Sequence, residues 1–145
     1  MKKLAISVVP LCFLFMVGLS WEVGAFNEIS LKKLTALGNC PSCDLSKALL
    51  YKANLEGANL TGADLEGADL YKANLEGADL TGANLKEAIM YRANLEGANL
   101  EGANLTEADL TEAFLYRADL DEANLTGTIF CGTIMPDGSY NDSGC

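Results

Sequence analysis

The chain has 145 residues, half of them apolar types, and a formal net charge of −10. That length suits one domain. It contains no histidine, which removes the commonest general base and the commonest metal ligand. A surface this acidic repels nucleic acid and anionic lipid and suits a basic partner, but charge alone does not select one.

Lys2 and Lys3 precede an apolar stretch from Leu4 to Trp21, and Val23 and Ala25 place small residues just before Phe26. This is the layout of a secretory signal peptide over residues 1–25, removed on export. The alternative is an uncleaved anchor, because the stretch is about long enough to span a bilayer. Pro10 and the small residues at the cleavage position favour removal. Cleavage would take away Lys2, Lys3 and Glu22 and move the net charge from −10 to −11. No membrane contact is expected beyond this segment.

Residues 26–43 read as an N-terminal helical cap. Asn27 or Ser30 can open a short helix through Leu31, Leu34 and Leu37, stopped by Gly38. These leucines are expected to lie over the first turn of the repeats that follow.

From Leu45 to Phe130, eighteen consecutive positions five residues apart are large and apolar. Two residues before nearly every one stands alanine, and between them usually asparagine or aspartate, as in Ala73-Asn74-Leu75. On an α-helix a step of five advances about 140° net, which would scatter the leucines around the cylinder. On a flat strand an odd step would send alternate leucines to opposite faces. A collagen repeat needs glycine every third residue, which is absent. The pattern is consistent with a chain that turns a corner once per step, with Ala and Leu inward and Asn/Asp outward. Gly57, Gly62, Gly67, Gly77, Gly82, Gly97 and Gly102 fall at those corners. Tyr51-Lys52, Tyr71-Lys72 and Tyr91-Arg92 recur at 20 residues, so four steps make one coil. Residues 44–130 then form a solenoid of stacked coils, roughly 22 Å long at a spacing of about 4.8 Å.

The A-[D/N]-L-x-x stretch resembles the pentapeptide-repeat family. The resemblance implies an all-β fold, a right-handed quadrilateral β-helix. The opening Cys40-Pro41-Ser42-Cys43-Asp44-Leu45 and the tail from Pro136-Asp137-Gly138 to Gly144-Cys145 are similar to an exported, cyanobacterial-type branch of that family. This implies the periplasm or the thylakoid lumen.

Beyond Phe130 the period fades, and residues 131–145 read as a C-terminal cap turning at Pro136-Asp137-Gly138. An even count of cysteines outside the signal segment (Cys40, Cys43, Cys131 and Cys145) suggests two disulfides in an exported protein. The pairs sit at opposite ends of the rod, and bridged Cα atoms lie within about 7 Å. The expected bonds are therefore Cys40–Cys43 and Cys131–Cys145. Cys40 and Cys43 also have the spacing of a redox-active dithiol. That chemistry usually sits at a helix N-terminus, whereas this pair follows a helix. Free thiols are the third possibility.

Most outward columns are polar. One face combines Tyr51, Tyr71 and Tyr91 with Lys52, Lys72 and Arg92, beside Leu49, Ile89 and Ile129 in place of the usual Asn/Asp. Two readings compete: stacked tyrosines stabilise neighbouring coils, or the face binds a partner. Phe114 and Tyr116 could extend the patch on the next face. With no histidine and no evident nucleophile–base pair, the expected role is a non-catalytic exported scaffold that binds a protein, without cofactor or metal and without nucleic acid. Two alternatives are a DNA-mimicking inhibitor of a nucleic-acid enzyme, which export disfavours, and a thiol oxidoreductase acting through Cys40 and Cys43.

Overall fold

The computed structural model describes residues 28–145, with side chains at Ser30 and from residue 33 onward. The signal segment 1–25 and Asn27 lie outside the described residues, as does the side chain of Leu31. Helix α1 (Glu28–Leu37) opens the described chain. It begins two residues before Ser30, so Ser30 is not its cap but a buried residue of its first turn. At its other end Gly38 takes a φ of 69° and donates its N–H to Leu34 O at 2.8 Å, a left-handed termination. Leu34 is fully buried in the same cluster as the repeat leucines. Leu37 does not pack as expected; it is 66 % exposed. It lies about 300° round the helix from Leu34, and the chain turns away immediately after it.

After α1 the chain coils. Sixteen parallel bridges, from Asn39–Asn59 to Phe114–Ile134, each join a residue to the one 20 positions later. They fall into four columns, one per side. Every bridging residue is at the Asn/Asp position, which faces outward, while the Leu and Ala columns on either side of it are buried along the axis. An unbranched leucine and a small alanine two residues apart fill a narrow four-sided interior, and each layer rests on its neighbours.

The segment Leu70–Asn74 accounts for all five of its amide protons. Leu70 N–H donates to Ile89 O and Lys72 N–H to Tyr91 O in the next coil, while Asn74 N–H donates to Ala53 O in the preceding one. Ala73 N–H closes the corner onto Leu70 O at 2.9 Å. The remaining amide, that of Tyr71, donates to Asp69 Oδ1 at 3.0 Å. The Asn/Asp side chain is thus more than a solvated decoration: it accepts the one N–H that the coil geometry leaves over.

Each corner is a β-turn whose third residue has positive φ, the arrangement of a type II turn. Glycine supplies it at Gly77 (φ 61°), but Lys72 (φ 55°) and nine other non-glycine residues among those described take the same conformation. The corner is imposed by the stacking of the coils rather than by glycine.

The hydrogen-bonded ladder runs beyond Phe130, since Leu115 N–H donates to Ile134 O and Arg117 N–H to Pro136 O. Strand β1 (Thr133–Ile134) then pairs antiparallel with β2 (Tyr140–Asn141). Thr133 occupies an inward alanine slot, fully buried, and its hydroxyl donates to Leu110 O at 2.6 Å. The tail lies beside Ile129 and Phe130, with Phe130 N–H donating to Ser143 O at 3.0 Å. It leaves Leu120, Ala123 and Leu125 of the last coil only partly buried.

Candidate interaction face

The bridges Leu49–Asp69, Asp69–Ile89, Ile89–Asp109 and Asp109–Ile129 place these five residues in one column on one side of the coil. The corner that follows carries the tyrosines and basic residues, one pair per coil. Tyr51 and Tyr71 stack with ring centroids 5.3 Å apart and planes 1° from parallel. Tyr71 and Tyr91 are 5.4 Å apart and tilted by 39°. Lys52 Nζ, Lys72 Nζ and the Arg92 guanidinium lie 4.8, 5.2 and 5.0 Å from the ring centroids of Tyr51, Tyr71 and Tyr91 respectively. Each cation therefore sits on its own tyrosine ring. Hydrogen bonding to Tyr51 raises the Lys52 pKa above its ordinary value.

The ladder ends at Glu112, which stands one coil beyond Arg92. Tyr91 O–H and Arg92 Nε–H donate to its two carboxylate oxygens at 2.9 and 2.6 Å. Arg92 and then Tyr91 hold the Glu112 carboxyl below its usual range, and the same carboxylate raises both partners. Sequence reasoning missed Glu112. The signal was there, a carboxylate 20 residues after an arginine, but Thr111-Glu112 does not repeat the Tyr-basic pair. Among the described residues neither Lys52 nor Lys72 is in an ion pair.

Leu49, Ile89 and Ile129 are the informative residues of this face. At the same repeat position Asp69 caps the Tyr71 amide, and Asn94 caps that of Glu96 at 3.1 Å. Leu49 and Ile89 offer no acceptor to the amides of Tyr51 and Tyr91. Nor do they gain burial, being 72 % and 46 % exposed, with Ile129 at 38 %. At Leu49 and Ile89 the coil forfeits an Asx hydrogen bond and receives no core contact in return.

The neighbouring aromatics stand on the next face. Phe114 bridges Asn94 and Ile134, and Tyr116 lies against the tail turn, where a Cβ on Gly138 would stand 3.6 Å from its ring. At the two ends of the rod, Cys40 is joined to Cys43 and Cys131 to Cys145, with Cα separations of 5.4 and 4.8 Å. Cys40 and Cys43 are both buried, and Cys43 fills the first alanine slot. Cys131 stands in the tyrosine column two coils beyond Tyr91.

A family model described as pentapeptide repeats matches the chain in eight copies, over residues 39–77, 68–106 and 98–135. Among solved structures, a pentapeptide-repeat protein of the Arabidopsis thaliana thylakoid lumen is 30 % identical with a TM-score of 0.54, the match covering 72 % of this chain and 70 % of that one. HetL, a pentapeptide-repeat protein involved in heterocyst differentiation regulation in the cyanobacterium Nostoc, is 40 % identical with a TM-score of 0.45. That match covers 71 % of this chain and about half, 53 %, of the other. No individual curated protein matches. The matched residues span the coil from its first bridge to β1, so the chain belongs to the pentapeptide-repeat family, whose members form right-handed quadrilateral β-helices.

Proposed function

We propose that the protein is an exported, non-catalytic scaffold that holds a protein partner on the face built from Leu49, Ile89, Tyr51, Tyr71, Lys52 and Lys72. The observation that carries this is the replacement of the Asx cap by exposed aliphatic side chains. Stacked tyrosines alone would serve the coil, and internal duplication would reproduce them. Duplication also copies the cap, so its loss at Leu49 and Ile89 points to a use outside the fold. Tyrosine is a residue type favoured at interfaces, and here it stands beside exposed aliphatic side chains.

On this reading α1 and the disulfide-closed tail serve as the caps that a solenoid needs at its open ends. Export follows from the charged and apolar pattern of residues 1–25, to the periplasm or the thylakoid lumen. The lumenal address of the Arabidopsis protein supports it.

The test is affinity capture from the native compartment, comparing the wild type with Leu49→Asn/Ile89→Asn. Both changes restore the residue type the repeat uses elsewhere. A protein retained by the wild type and lost by the variant supports the face. Identical captures would sink it.

A further inference from the structure

We infer that the partner segment seated on this face is an acidic amphipathic α-helix lying parallel to the rod axis. The inference rests on the proposed face and deepens it. Coils repeat at about 4.8 Å, so Leu49 and Ile89 are two coils, or roughly 9.6 Å, apart. An α-helix repeats at about 5.4 Å per turn and sets residues i and i+7 about 10.5 Å apart. One helical turn therefore spans one rung and seven residues span the step from Leu49 to Ile89, within about 1 Å. The tyrosines recur at the same rung spacing, with ring centroids 5.3 and 5.4 Å apart. A strand laid the same way would advance about 6.7 Å for each pair of residues and lose register after one rung.

Charge selects the sign of the helix. Lys52 and Lys72 form a basic strip on a chain of net charge −10, and neither is in an ion pair among the described residues, while Asp69, the carboxylate between Leu49 and Ile89, is engaged by the Tyr71 amide. Arg92, by contrast, is held by Glu112. Carboxylates one turn apart on the partner would meet the two lysines. A second copy docked face to face would set lysine against lysine. A polyproline segment needs open aromatic faces, and here Tyr71 is flanked by Tyr51 and Tyr91 with Lys72 over its ring. Beyond Ile89 the column is partly covered, because the tail lies against Ile129, where a Cβ on Gly144 would stand 3.2 Å from its Cγ2. The open site thus spans the coils from Leu49 to Ile89, about three turns of helix counting overhang.

The probe is a synthetic helix of about six turns with leucine at every seventh residue and glutamates one turn apart on the adjoining row. Its binding to the purified protein is followed by fluorescence anisotropy. Controls are the same peptide with lysine for glutamate and the acidic peptide with central prolines that abolish the helix. The expected result is saturable binding of the acidic helix that weakens with salt. Both controls and the Leu49→Asn/Ile89→Asn protein should bind at least about tenfold more weakly. Equal binding of the lysine peptide overturns the acidic assignment, and equal binding of the proline peptide overturns the helical one. Acidic-helix binding unchanged by Leu49→Asn/Ile89→Asn overturns the site. If affinity capture loses a partner with that variant while the helix probe fails to bind, the face stands and the helical partner falls. If neither responds, both fall.

Discussion

Arg92 donates its Nε–H to Glu112 across one coil at 2.6 Å, and the adjacent Tyr91 hydroxyl donates to the same carboxylate. One acidic side chain thereby pins the C-terminal end of the tyrosine ladder. Its carboxyl is held below the ordinary 4.5. A group depressed in the folded state stabilises above its unfolded pKa and ceases to do so as the pH falls through its folded one. Thermal melts of wild type and Glu112→Gln should therefore differ at neutral pH, wild type higher. The gap should close as the pH drops below 4.5. The contact is at the surface, so the gap is small and shrinks with added salt.

Leu49→Asn and Ile89→Asn should each leave stability unchanged or raise it by about 0.5–1 kcal/mol, since each supplies an acceptor for an uncapped amide. Urea titration measures this directly. A loss of more than about 1 kcal/mol would mean that the exposed aliphatics contribute to the fold after all.

The corners separate backbone strain from space. Gly77 has open room for a Cβ, with nothing within 4 Å, yet its φ is 61°. Gly77→Ala should destabilise by about 1 kcal/mol through backbone conformation alone. Glu122, exposed with a φ of 59°, runs the other way, and Glu122→Gly should stabilise by up to about 1 kcal/mol. Paired chemical denaturation of these two variants checks both signs.

The disulfides should be unequal. Cys131 and Cys145 are 14 residues apart and Cys40 and Cys43 only 3. Chain entropy predicts a loss of about 3 kcal/mol for Cys131→Ser/Cys145→Ser against about 2 kcal/mol for Cys40→Ser/Cys43→Ser. Circular dichroism during melting should show the repeat signal persisting in both variants at low temperature, with early proteolysis of the tail in the first.

The coil was legible because its cause is a period: apolar residues every fifth position from Leu45 admit few alternatives, and Tyr51, Tyr71 and Tyr91 count the residues per coil. Glycine made some corners visible. The corner at Lys72 was not, because a lysine carries no local preference for positive φ and adopts it only under the pull of its neighbours. The reason for Asp69 was hidden for a related cause, since its acceptor role appears only once the other four amides of the step have been assigned. At the N-terminus the sequence suggested Ser30 as a helix start. Ser30 instead lies within α1, buried, its carbonyl 3.2 Å from Cys40 Sγ. On the surface, the column of Leu49 and Ile89 was readable, and the approach of Gly144 to its far end was not.

Four sides and 20 residues per coil give this architecture an unusual tolerance. Inserting 20 residues lengthens the rod by one rung and leaves every face in place. Inserting five rotates everything downstream by a quarter turn. Such an insertion between Tyr51 and Tyr71 would carry Tyr71 and Ile89 round the corner from Leu49, with the interior still filled by Leu and Ala. Drift in repeat number can therefore redraw the surface of such a chain while its core remains indifferent.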